Sequence, residues 1–476
     1  MVGADRSMRD RDGNRTAAPD RLVRLELEGF KSFRDRTSVE IRPLTILAGR
    51  NSSGKSSLVQ PLLLMKQTLE SSHDPGALEL SGPCVTFTQA DQLLWTGAGE
   101  NPATQWTCTL TVERGTPGSP LERNRFSVTY SPGKRGGIEL ASTRIDTDPA
   151  DPAAVPLTLV EGAVAWPPSA GIADMIAARF PGGTASLPQS ISDGEGIEVV
   201  AEAERVAHVL VIHLQLSKSV SGAGREHWAV TVDPFPRSVV QSLIFLPGLR
   251  GMPQRTYPLA RASGRFPGPF PPYVASVLQN WTEFAPEKLG DVAEDLRDLG
   301  LTWKVEARHV DDTAVEVLVG RLACSGGADD LVSIADVGVG TSQILPVLVA
   351  LHAAFPGQIV HVEQPELHLH PRAQVAMAQI LARAAQRGVI VIAETHSSVM
   401  LTALQTLIAR SDQGIDPDLV ALHWFDRDEA GATQVRTAQL DDDGSYGDWP
   451  VDFADVEMAA ERAFVEAAMA RAASGG

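Results

Sequence analysis

The alternation of hydrophobic and polar residues changes character twice along the chain. Residues 22–29 alternate as a half-buried strand does, residues 43–49 are apolar as in a buried strand, and residues 54–70 repeat with a helical period. Short β-like segments between Gly and Pro turns begin near residue 105, and helical pieces and Pro-rich loops follow them. Helix and strand patterns alternate again from near residue 330. The pattern predicts two α/β pieces separated by a long insertion.

Strand–helix–strand units predict an α/β fold with a mostly parallel sheet, in which ligands bind at the carboxyl ends of the strands. We expect the insertion to hold an antiparallel β lobe and a helical subdomain. The predicted boundaries are a disordered leader at 1–20, a first α/β piece at 21–105, the insertion at 106–324, a second α/β piece at 325–445 and a C-terminal tail with a helix at 446–476.

Composition limits the environment of the protein. The chain has 476 residues, of which 43% are hydrophobic and 21% are charged, as is typical of globular proteins. No apolar run approaches the roughly 20 residues of a membrane-spanning helix, and the polar N-terminus lacks the apolar core of a signal peptide. The cysteines, Cys84, Cys108 and Cys324, form no metal-binding spacing and fit a reducing compartment. We therefore expect a cytoplasmic protein that does not enter a membrane.

The stretch "GRNSSGKSS" contains the spacing G-x-x-x-x-G-K-[ST] of a phosphate-binding loop. In such a loop, small residues let backbone N–H groups wrap the phosphates, and the following helix directs its positive end at them. Lys55 would reach the β- and γ-phosphates, and the Ser56 hydroxyl would ligate Mg²⁺. The strand before it and the helix after it favour this interpretation over a Gly/Ser turn before a core helix. The candidate ATP-binding residues are Gly49, Arg50, Asn51, Ser52, Ser53, Gly54, Lys55, Ser56 and Ser57.

A second motif is the stretch "HVEQPELHLHP", in which an apolar strand ends at Glu363, where an ATPase holds its magnesium ion. The next position often carries a catalytic glutamate, but here it is Gln364, and an amide takes no proton. We expect Gln364 to orient the attacking water and hydrolysis to be slow. Glu366 is the nearest spare carboxylate and our candidate for the general base, with a cap for the helix near Pro371 as the alternative.

Two further segments suit anion binding. The stretch "DVGVGTSQILP" places two glycines, Ser342 and Gln343 at a predicted helix start, which is typical of an anion-binding N-terminus and equally of an ordinary cap. The stretch "VIAETHSSV" places His396 just after a buried strand, where it would touch a γ-phosphate or serve as a capping or core residue. The presence of a phosphate-binding loop in the same chain favours the phosphate-contacting role for both.

The motifs together resemble those of a known family. The segments "LEGFKSF", "PLTILAGRNSSGKSSLVQPLLLMKQ", "LPGLRGMPQRTY", "DVGVGTSQILPVLVAL", "VEQPELHLHPRAQ" and "ETHS" occur in family order. They resemble bacterial AAA_15-type ATPases, whose ABC-class heads are related to RecF, to chromosome-maintenance proteins and to the overcoming-lysogenization-defect (OLD) nucleases. The segment "DDDGSYGDWPVDFADVE" is similar to the small tail domain that often ends such chains.

The resemblance implies an ABC-type P-loop head that binds two ATP molecules, with Mg²⁺, between two subunits. The implied positions are Glu363 for Walker B, Ser342 with Gly338, Gly340 and Gln343 for the signature segment that acts in trans, His396 for the switch, and Ser56, Glu363 and the Q-loop candidate Gln89 for the metal ion. The related nucleases carry a Toprim domain. After His396 this chain has only the acidic clusters "FDRDEAG" and "LDDDG", which are typical of solvated turns, so we expect no nuclease.

The leading hypothesis is an ATP-driven switch that forms a homodimer or higher oligomer through its ATP sites. A separate effector protein, such as a nuclease, would make its output in anti-phage defence or DNA-damage handling, by analogy with the family. One alternative is a stand-alone RecF-like DNA-binding ATPase: the net charge of −18 disfavours it, but a local basic groove would suffice. The long insertion and the "PELHLHP" segment disfavour the ATPase half of a transporter. A catalytically weak scaffold stays open because of Gln364.

Overall fold

The computed structural model describes most of the chain. It covers residues 20–466 apart from 98, 100, 115–120, 135, 148–156, 162, 166–196, 207, 221–223, 233–234, 261–263, 324–329, 411–413, 442 and 448–461, together with 469 and 471. The predicted leader therefore lies outside the described residues except for Asp20, whose carboxylate accepts hydrogen bonds of 2.7 Å from Arg114. Much of the predicted tail also lies outside them, and residues 462–466 within it are helical.

The strands and helices are numbered in chain order. The strands are β1 (Arg21–Glu28), β2 (Thr37–Glu40), β3 (Leu44–Gly49), β4 (Trp106–Arg114), β5 (Glu122–Pro132), β6 (Ile138–Thr147), β7 (Leu157–Val160), β8 (Ala163–Ala165), β9 (Ile197–Val206), β10 (Val209–Val220), β11 (Gly224–Val232), β12 (Ile244–Leu246), β13 (Tyr257–Pro258), β14 (Val305–His309), β15 (Ala314–Gly320), β16 (Leu331–Ser333), β17 (Ile359–Glu363), β18 (Ile390–Thr395), β19 (Val420–Arg427) and β20 (Thr433–Thr437). The helices are α1 (Lys55–Glu70), α2 (Arg237–Gln241), α3 (Val274–Phe284), α4 (Pro286–Asp298), α5 (Val339–Ala353), α6 (Pro371–Gln386) and α7 (Ser398–Ala409).

A six-stranded sheet forms the centre of the fold, in the order β12–β17–β18–β3–β19–β20. Its neighbours are parallel except for the edge pair β19–β20. Strands β3 and β18 are buried at every position, as expected for strands covered on both faces. The predicted α/β class with a mostly parallel sheet is confirmed. Because parallel strands end on the same side, the carboxyl ends of β17, β18 and β3 meet at one edge.

Alternate residues of the central strands pack into two hydrophobic layers. Leu44 and Ile46 of β3 pack with helices α3 to α7 on one face. Leu47 points to the other face, where it packs with α1 and with residues of the antiparallel strands. The sheet is therefore the middle layer of a three-layer arrangement. None of the helices in the part of the chain that the structure describes is long and apolar enough to cross a bilayer.

Antiparallel sheets form the predicted β lobe. Seven strands pair in the order β2–β1–β4–β5–β6–β7–β8, and β11–β10–β9 form a further sheet. The smaller group β13–β15–β14 with β16 lies near α3 and α4. Strands β1 and β2, within the range expected for the first α/β piece, belong to the seven-stranded sheet. Their alternating pattern marks a half-buried strand but does not say which sheet it joins.

The chain re-enters the central sheet inside the range expected for the insertion. Strand β12 pairs in parallel with β17, with Ile244 opposite Val360 and Leu246 opposite Val362. Helices α3 and α4 then pack with α5 against the same sheet. The central sheet thus takes elements from both sides of the β lobe and from within the insertion. Three apolar residues suffice for β12 because it lies at the edge of the sheet, and so short a run carries no distinct sequence pattern.

Gly49, at the end of β3, provides a test of the close approach between β3 and β19. Its φ is +143°, and a Cβ there would lie 2.2 Å from the carbonyl oxygen of Phe425. We expect Gly49→Ala to force the two strands apart and to lower the free energy of unfolding by more than about 1 kcal/mol. Urea unfolding measures this loss. Gly76→Ala is the matched control, because Gly76 also has a positive φ, +87°, but no atom within 4 Å of its added Cβ. Equal losses in both variants would show that the contact with Phe425 does not matter.

Candidate nucleotide-binding site

The phosphate loop joins the end of β3 to the start of α1. Its backbone takes left-handed conformations at Ser52, φ +60°, and at Gly54, φ +108°. A Cβ at Gly54 would lie 2.4 Å from Thr433 Oγ1, so this position requires glycine. Helix α1 begins at Lys55 with no side-chain cap and no acidic residue in its first turn. The N–H groups of that turn are therefore available to an anion, and the helix dipole favours one there.

A cavity of about 380 Å³ lies at the carboxyl edge of the sheet, in front of this loop. Its lining residues are Lys31, Ser52, Ser53, Gly54, Lys55, Ser56, Ser57, Glu363, Gln364, Glu394, His396 and Arg427. The structure thus brings together most of the candidates from three separate motifs. Arg50 and Asn51 lie on the exposed turn of the loop and, like Glu366, do not line the cavity.

Lys55 is the buried cation of the site, with 5% of its surface exposed. Its Nζ donates to the carbonyl oxygens of Gly49, at 2.9 Å, and Arg50, at 2.6 Å. Burial lowers the pKa of Lys55 to about 8, and the carboxylates of Glu394 and Glu366 limit this fall. The ammonium is therefore charged at neutral pH and is held by loop carbonyls that a phosphate oxygen can replace.

Two carboxylates lie opposite each other on neighbouring strands. The register of β17 and β18 pairs Glu363 with Glu394. Glu363 Oε2 accepts a 2.9 Å hydrogen bond from the N–H of Gly248, and Glu394 Oε2 accepts one of 2.6 Å from the Ser56 hydroxyl. Burial, with the charge of Glu363, raises the pKa of Glu394 to about 8. Glu394 was not predicted from the sequence, although "VIVIAE" ends in a carboxylate just as "IVHVE" does.

Gln364, Glu366 and His396 form the turns that follow β17 and β18. Gln364 has φ +45°, and its N–H donates to the Glu394 carbonyl at 2.9 Å, so its side chain is held at the cavity. Glu366 Oε1 accepts a 2.9 Å hydrogen bond from the N–H of His396, while its buried Oε2 has no partner among the described residues. Burial raises the pKa of Glu366. Burial and the Lys55 charge lower the pKa of His396, so its imidazole is neutral at pH 7.

The signature candidates lie at the start of α5, away from the cavity of their own chain. Gly338 is exposed at the N-cap and Gly340 lies in the first turn. Ser342 is 8% exposed, and its hydroxyl donates to the Val339 carbonyl at 2.9 Å. The side chain of Gln343 is already hydrogen-bonded within its own chain, because its Nε2 donates to the Gly251 carbonyl at 2.6 Å. None of the four lines the cavity.

Gln89, the candidate for the Q-loop and the metal ion, is not brought to the site. It is exposed at the start of a short 3₁₀ turn, Ala90–Leu93. Its backbone N–H donates to Gln92 Oε1 at 3.3 Å, and its side chain does not line the cavity. The assignment rested on position after the first helix alone, and it stays a prediction.

Several contributing cations were also missed by the sequence analysis. Arg250 is 7% exposed, and its guanidinium donates to the carbonyls of Gln343, at 3.3 Å, and Glu363, at 2.6 Å. It therefore links α5 to the end of β17. Lys31 and Arg427 also line the cavity, although they lie outside the phosphate-site motifs in the sequence. Burial, and then the charge of Arg427, lowers the pKa of Lys31.

The raised pKa of Glu394 predicts how the stability of the protein depends on pH in the absence of nucleotide and metal. The folded state keeps a proton that the unfolded state releases, so stability falls as pH rises from 4.5 to about 8, and the loss is complete above that. Glu394→Gln cannot ionise and removes this part of the dependence. The Tm of Glu394→Gln minus the Tm of the parent should therefore increase as pH rises from about 5 to about 8.5. Thermal unfolding followed by circular dichroism, with a chelator present, measures it.

The control is Glu429→Gln, at an exposed carboxyl in the turn after β19. Its Tm should stay at a constant offset from the parent across this range. A Glu394→Gln variant that follows the parent at every pH would contradict the buried, protonated state of Glu394.

Comparison with solved structures gives matches of low sequence identity. The SMC head domain from Thermotoga maritima is 12% identical, with 88% of this chain and 99% of that chain covered and a TM-score of 0.38. A Smc head domain with an extended coiled coil, bound to the C-terminal domain of ScpA and derived from Pyrococcus furiosus, is 11% identical, with 88% and 97% covered and a TM-score of 0.43. No curated protein matches the chain.

Two family models match separate segments of the sequence. Residues 21–104 match AAA_15, described as "AAA ATPase domain". Residues 282–402 match AAA_21, described as "AAA domain, putative AbiEii toxin, Type IV TA system". The first segment contains the phosphate loop, and the second contains Glu363, Glu394 and His396. The resemblance read from the motifs is confirmed: residues 21–104 are similar to the AAA ATPase domain.

Proposed function

We propose that the protein is an ABC-type ATPase that binds ATP with Mg²⁺ and hydrolyses it slowly, as a switch. The observation that carries this proposal is the meeting of Lys55, Ser56, Glu363 and Glu394 at one cavity in front of an uncapped helix N-terminus. Phosphates need N–H donors and a cation, which α1 and Lys55 supply. Mg²⁺ needs oxygen ligands, which Ser56 and the two carboxylates supply. Both requirements are met at the same edge of the sheet.

Each residue of the site has a distinct role in the proposed reaction. Lys55 exchanges its loop carbonyls for phosphate oxygens, and the loop N–H groups position the nucleotide. Ser56, Glu363 and Glu394 would hold Mg²⁺, whose chemistry is to neutralise phosphate charge. His396, neutral at pH 7, can donate a hydrogen bond to the transferring phosphoryl group.

The attacking water would be handled by two side chains. Gln364 lines the cavity and can orient the water but cannot remove its proton. Glu366 is the proposed general base: its Oε2 has no partner among the described residues, and burial raises its pKa, which makes it a stronger base than an exposed glutamate. Its carboxylate is bonded to the His396 N–H and does not line the cavity, so it would have to turn toward the water when the nucleotide binds. This division of tasks supports slow turnover and a long-lived ATP-bound state.

We also propose that two copies complete each other's sites. Since the signature candidates do not reach the cavity of their own chain, Ser342 and its neighbours would act on the nucleotide of a partner copy. The exposed start of α5, where Val339 is 44% exposed, suits such a contact. ATP would then stabilise a dimer, because the completed site would bind it more tightly than the site of one copy alone.

The output would come from a separate effector protein. The acidic clusters after His396 are engaged in turns: Asp428 Oδ1 accepts from the Ala432 N–H at 2.8 Å and Asp443 Oδ1 from the Ser445 N–H at 3.2 Å. Carboxylates that accept hydrogen bonds from nearby backbone N–H groups stabilise turns, and this role differs from holding a catalytic metal. A role in anti-phage defence or DNA-damage handling is proposed by analogy with the family. The free thiols of Cys84 and Cys108 suit a cytoplasmic location.

Lys55→Ala tests ATP binding. A charge-assisted hydrogen bond contributes about 1.5–3 kcal/mol, so the Kd for ATP should rise about 10- to 150-fold while the fold persists. Isothermal titration calorimetry measures it. Lys288→Ala, on α4 and bonded to the His352 carbonyl, is the control and should bind ATP as the parent does. Equal affinity in the Lys55 variant would remove the phosphate-loop assignment.

Glu366→Gln and Glu366→Ala separate a base from a structural role. A glutamine oxygen still accepts the His396 N–H but takes no proton, so Glu366→Gln should lower kcat about 10²- to 10⁴-fold with ATP binding intact. Gln364→Ala should have a smaller effect, since orientation alone is lost. Steady-state phosphate release measures both. If Glu366→Gln keeps the parent rate while Glu366→Ala loses activity, the residue only positions His396, and a parent without turnover would favour a scaffold.

Mixing two inactive variants tests the shared site. Arginine at the buried Ser342 would disturb its own chain, so the exposed Val339 is the better position for the blocking substitution. Lys55→Ala weakens the phosphate loop and Val339→Arg blocks the face that acts in trans. A mixed dimer still contains one site with an intact phosphate loop from one copy and an intact trans face from the other. Hydrolysis should therefore return on mixing. Two folded variants that stay inactive together at every ratio would argue against a site shared in trans.

A further inference from the structure

A fully buried histidine of the central sheet points a lone pair at Glu394. His361, in the middle of β17, is 0% exposed. Its Nδ1 lies 3.3 Å from the Ile392 carbonyl, which can only accept, so the ring proton is on Nδ1. Its Nε2 has no hydrogen-bond partner among the described residues and lies 3.5 Å from Glu394 Oε1, which also has none there. Two buried atoms that can each accept a hydrogen bond thus face each other, and either a proton held between them or a bound cation would satisfy both.

Glu363 completes this cluster. Residues 361 and 363 are two apart on one strand, so their side chains share a face of the sheet. The register places Glu394 beside Glu363 on β18. One ligand atom from each of His361, Glu363 and Glu394 lies within 4.8 Å of the others. The carboxylates line the cavity in front of the phosphate loop, which provides a path from solvent.

We propose that His361, Glu363 and Glu394 bind one divalent first-row transition ion, for which Mn²⁺ is the probe, without nucleotide. The proposal goes beyond the ATPase function, because it requires neither ATP nor hydrolysis. An imidazole nitrogen with two carboxylate oxygens suits Mn²⁺, Fe²⁺ or Zn²⁺, whereas Mg²⁺ prefers oxygen ligands alone.

The surroundings are those of a metal ligand set. The Ile392 carbonyl fixes the His361 tautomer, as an outer-shell partner does for a metal-bound imidazole. The Phe245 ring stacks on His361, with centroids 5.6 Å apart and planes at 12°, and fixes the ring orientation. Metal–ligand bonds of about 2.0–2.2 Å place donor atoms up to about 4.4 Å apart, so small side-chain rotations close the site. The Ser56 hydroxyl engages only Oε2 of Glu394, which leaves Oε1 for the ion.

The experiment is a Mn²⁺ titration of the chelator-treated full chain without nucleotide, followed by the loss of the free-ion signal in electron paramagnetic resonance. The parent should bind one Mn²⁺ per chain, and excess Mg²⁺ should displace it poorly. His361→Leu should weaken binding by at least about 10-fold. His352→Gln is the control, because His352 Nε2 is already bonded to Asp295 at 2.7 Å, and it should bind as the parent does.

If His361→Leu does not fold, Glu394→Gln takes its place and should weaken Mn²⁺ binding to the same extent. Its amide oxygen can still accept the hydrogen bond from Ser56. Absence of Mn²⁺ binding in the parent would mean that a proton fills the gap between His361 and Glu394, and would overturn the proposal. Binding that survives in both variants, or equal displacement by Mg²⁺, would also overturn it. Since no nucleotide is present, these results are independent of whether the protein binds ATP.

Discussion

The parallel pairing of β17 with β18 is the constraint on which the candidate site depends. It places Glu363 beside Glu394 at the end of two buried strands, where two ionised carboxylates would repel each other and water cannot fully screen them. The surrounding groups stabilise the pair. Lys55 supplies a positive charge, Ser56 and the N–H of Gly248 donate hydrogen bonds to the carboxylates, and burial keeps Glu394 protonated until about pH 8. A cation in the cavity would relieve the same repulsion, which links metal binding, nucleotide binding and the stability of the sheet edge.

The loop around Arg250 joins this edge to the rest of the molecule. Its buried guanidinium bonds the carbonyls of Glu363 and Gln343, and its backbone N–H bonds Gln343 Oε1 at 3.1 Å. Burial lowers the pKa of Arg250 to about 10, but it stays charged at neutral pH. The end of β17 and the start of α5 are therefore mechanically coupled. In the proposed switch, this link would carry a change at the nucleotide site to the surface where α5 would meet a second copy.

Local motifs made part of the site predictable from sequence. The phosphate loop, Glu363 and His396 each follow an apolar strand, and parallel topology gathers such strand ends at one edge. Glu394 and His361 escaped notice because their roles follow from the register between strands, which a single sequence does not state. Lys31 and Arg427 reach the cavity from distant parts of the chain. The three-residue strand β12 was missed because so short an apolar run has no distinct period.

The most direct test of the account is a crystal structure with Mn²⁺ and a non-hydrolysable ATP analogue, with anomalous scattering recorded at the manganese edge. The account predicts a manganese peak within bonding distance of both Glu363 and Glu394, with the analogue's phosphates on the N–H groups of α1 and on Lys55. A peak that lies away from Glu394, or phosphates bound elsewhere with the carboxylate pair unchanged, would contradict it.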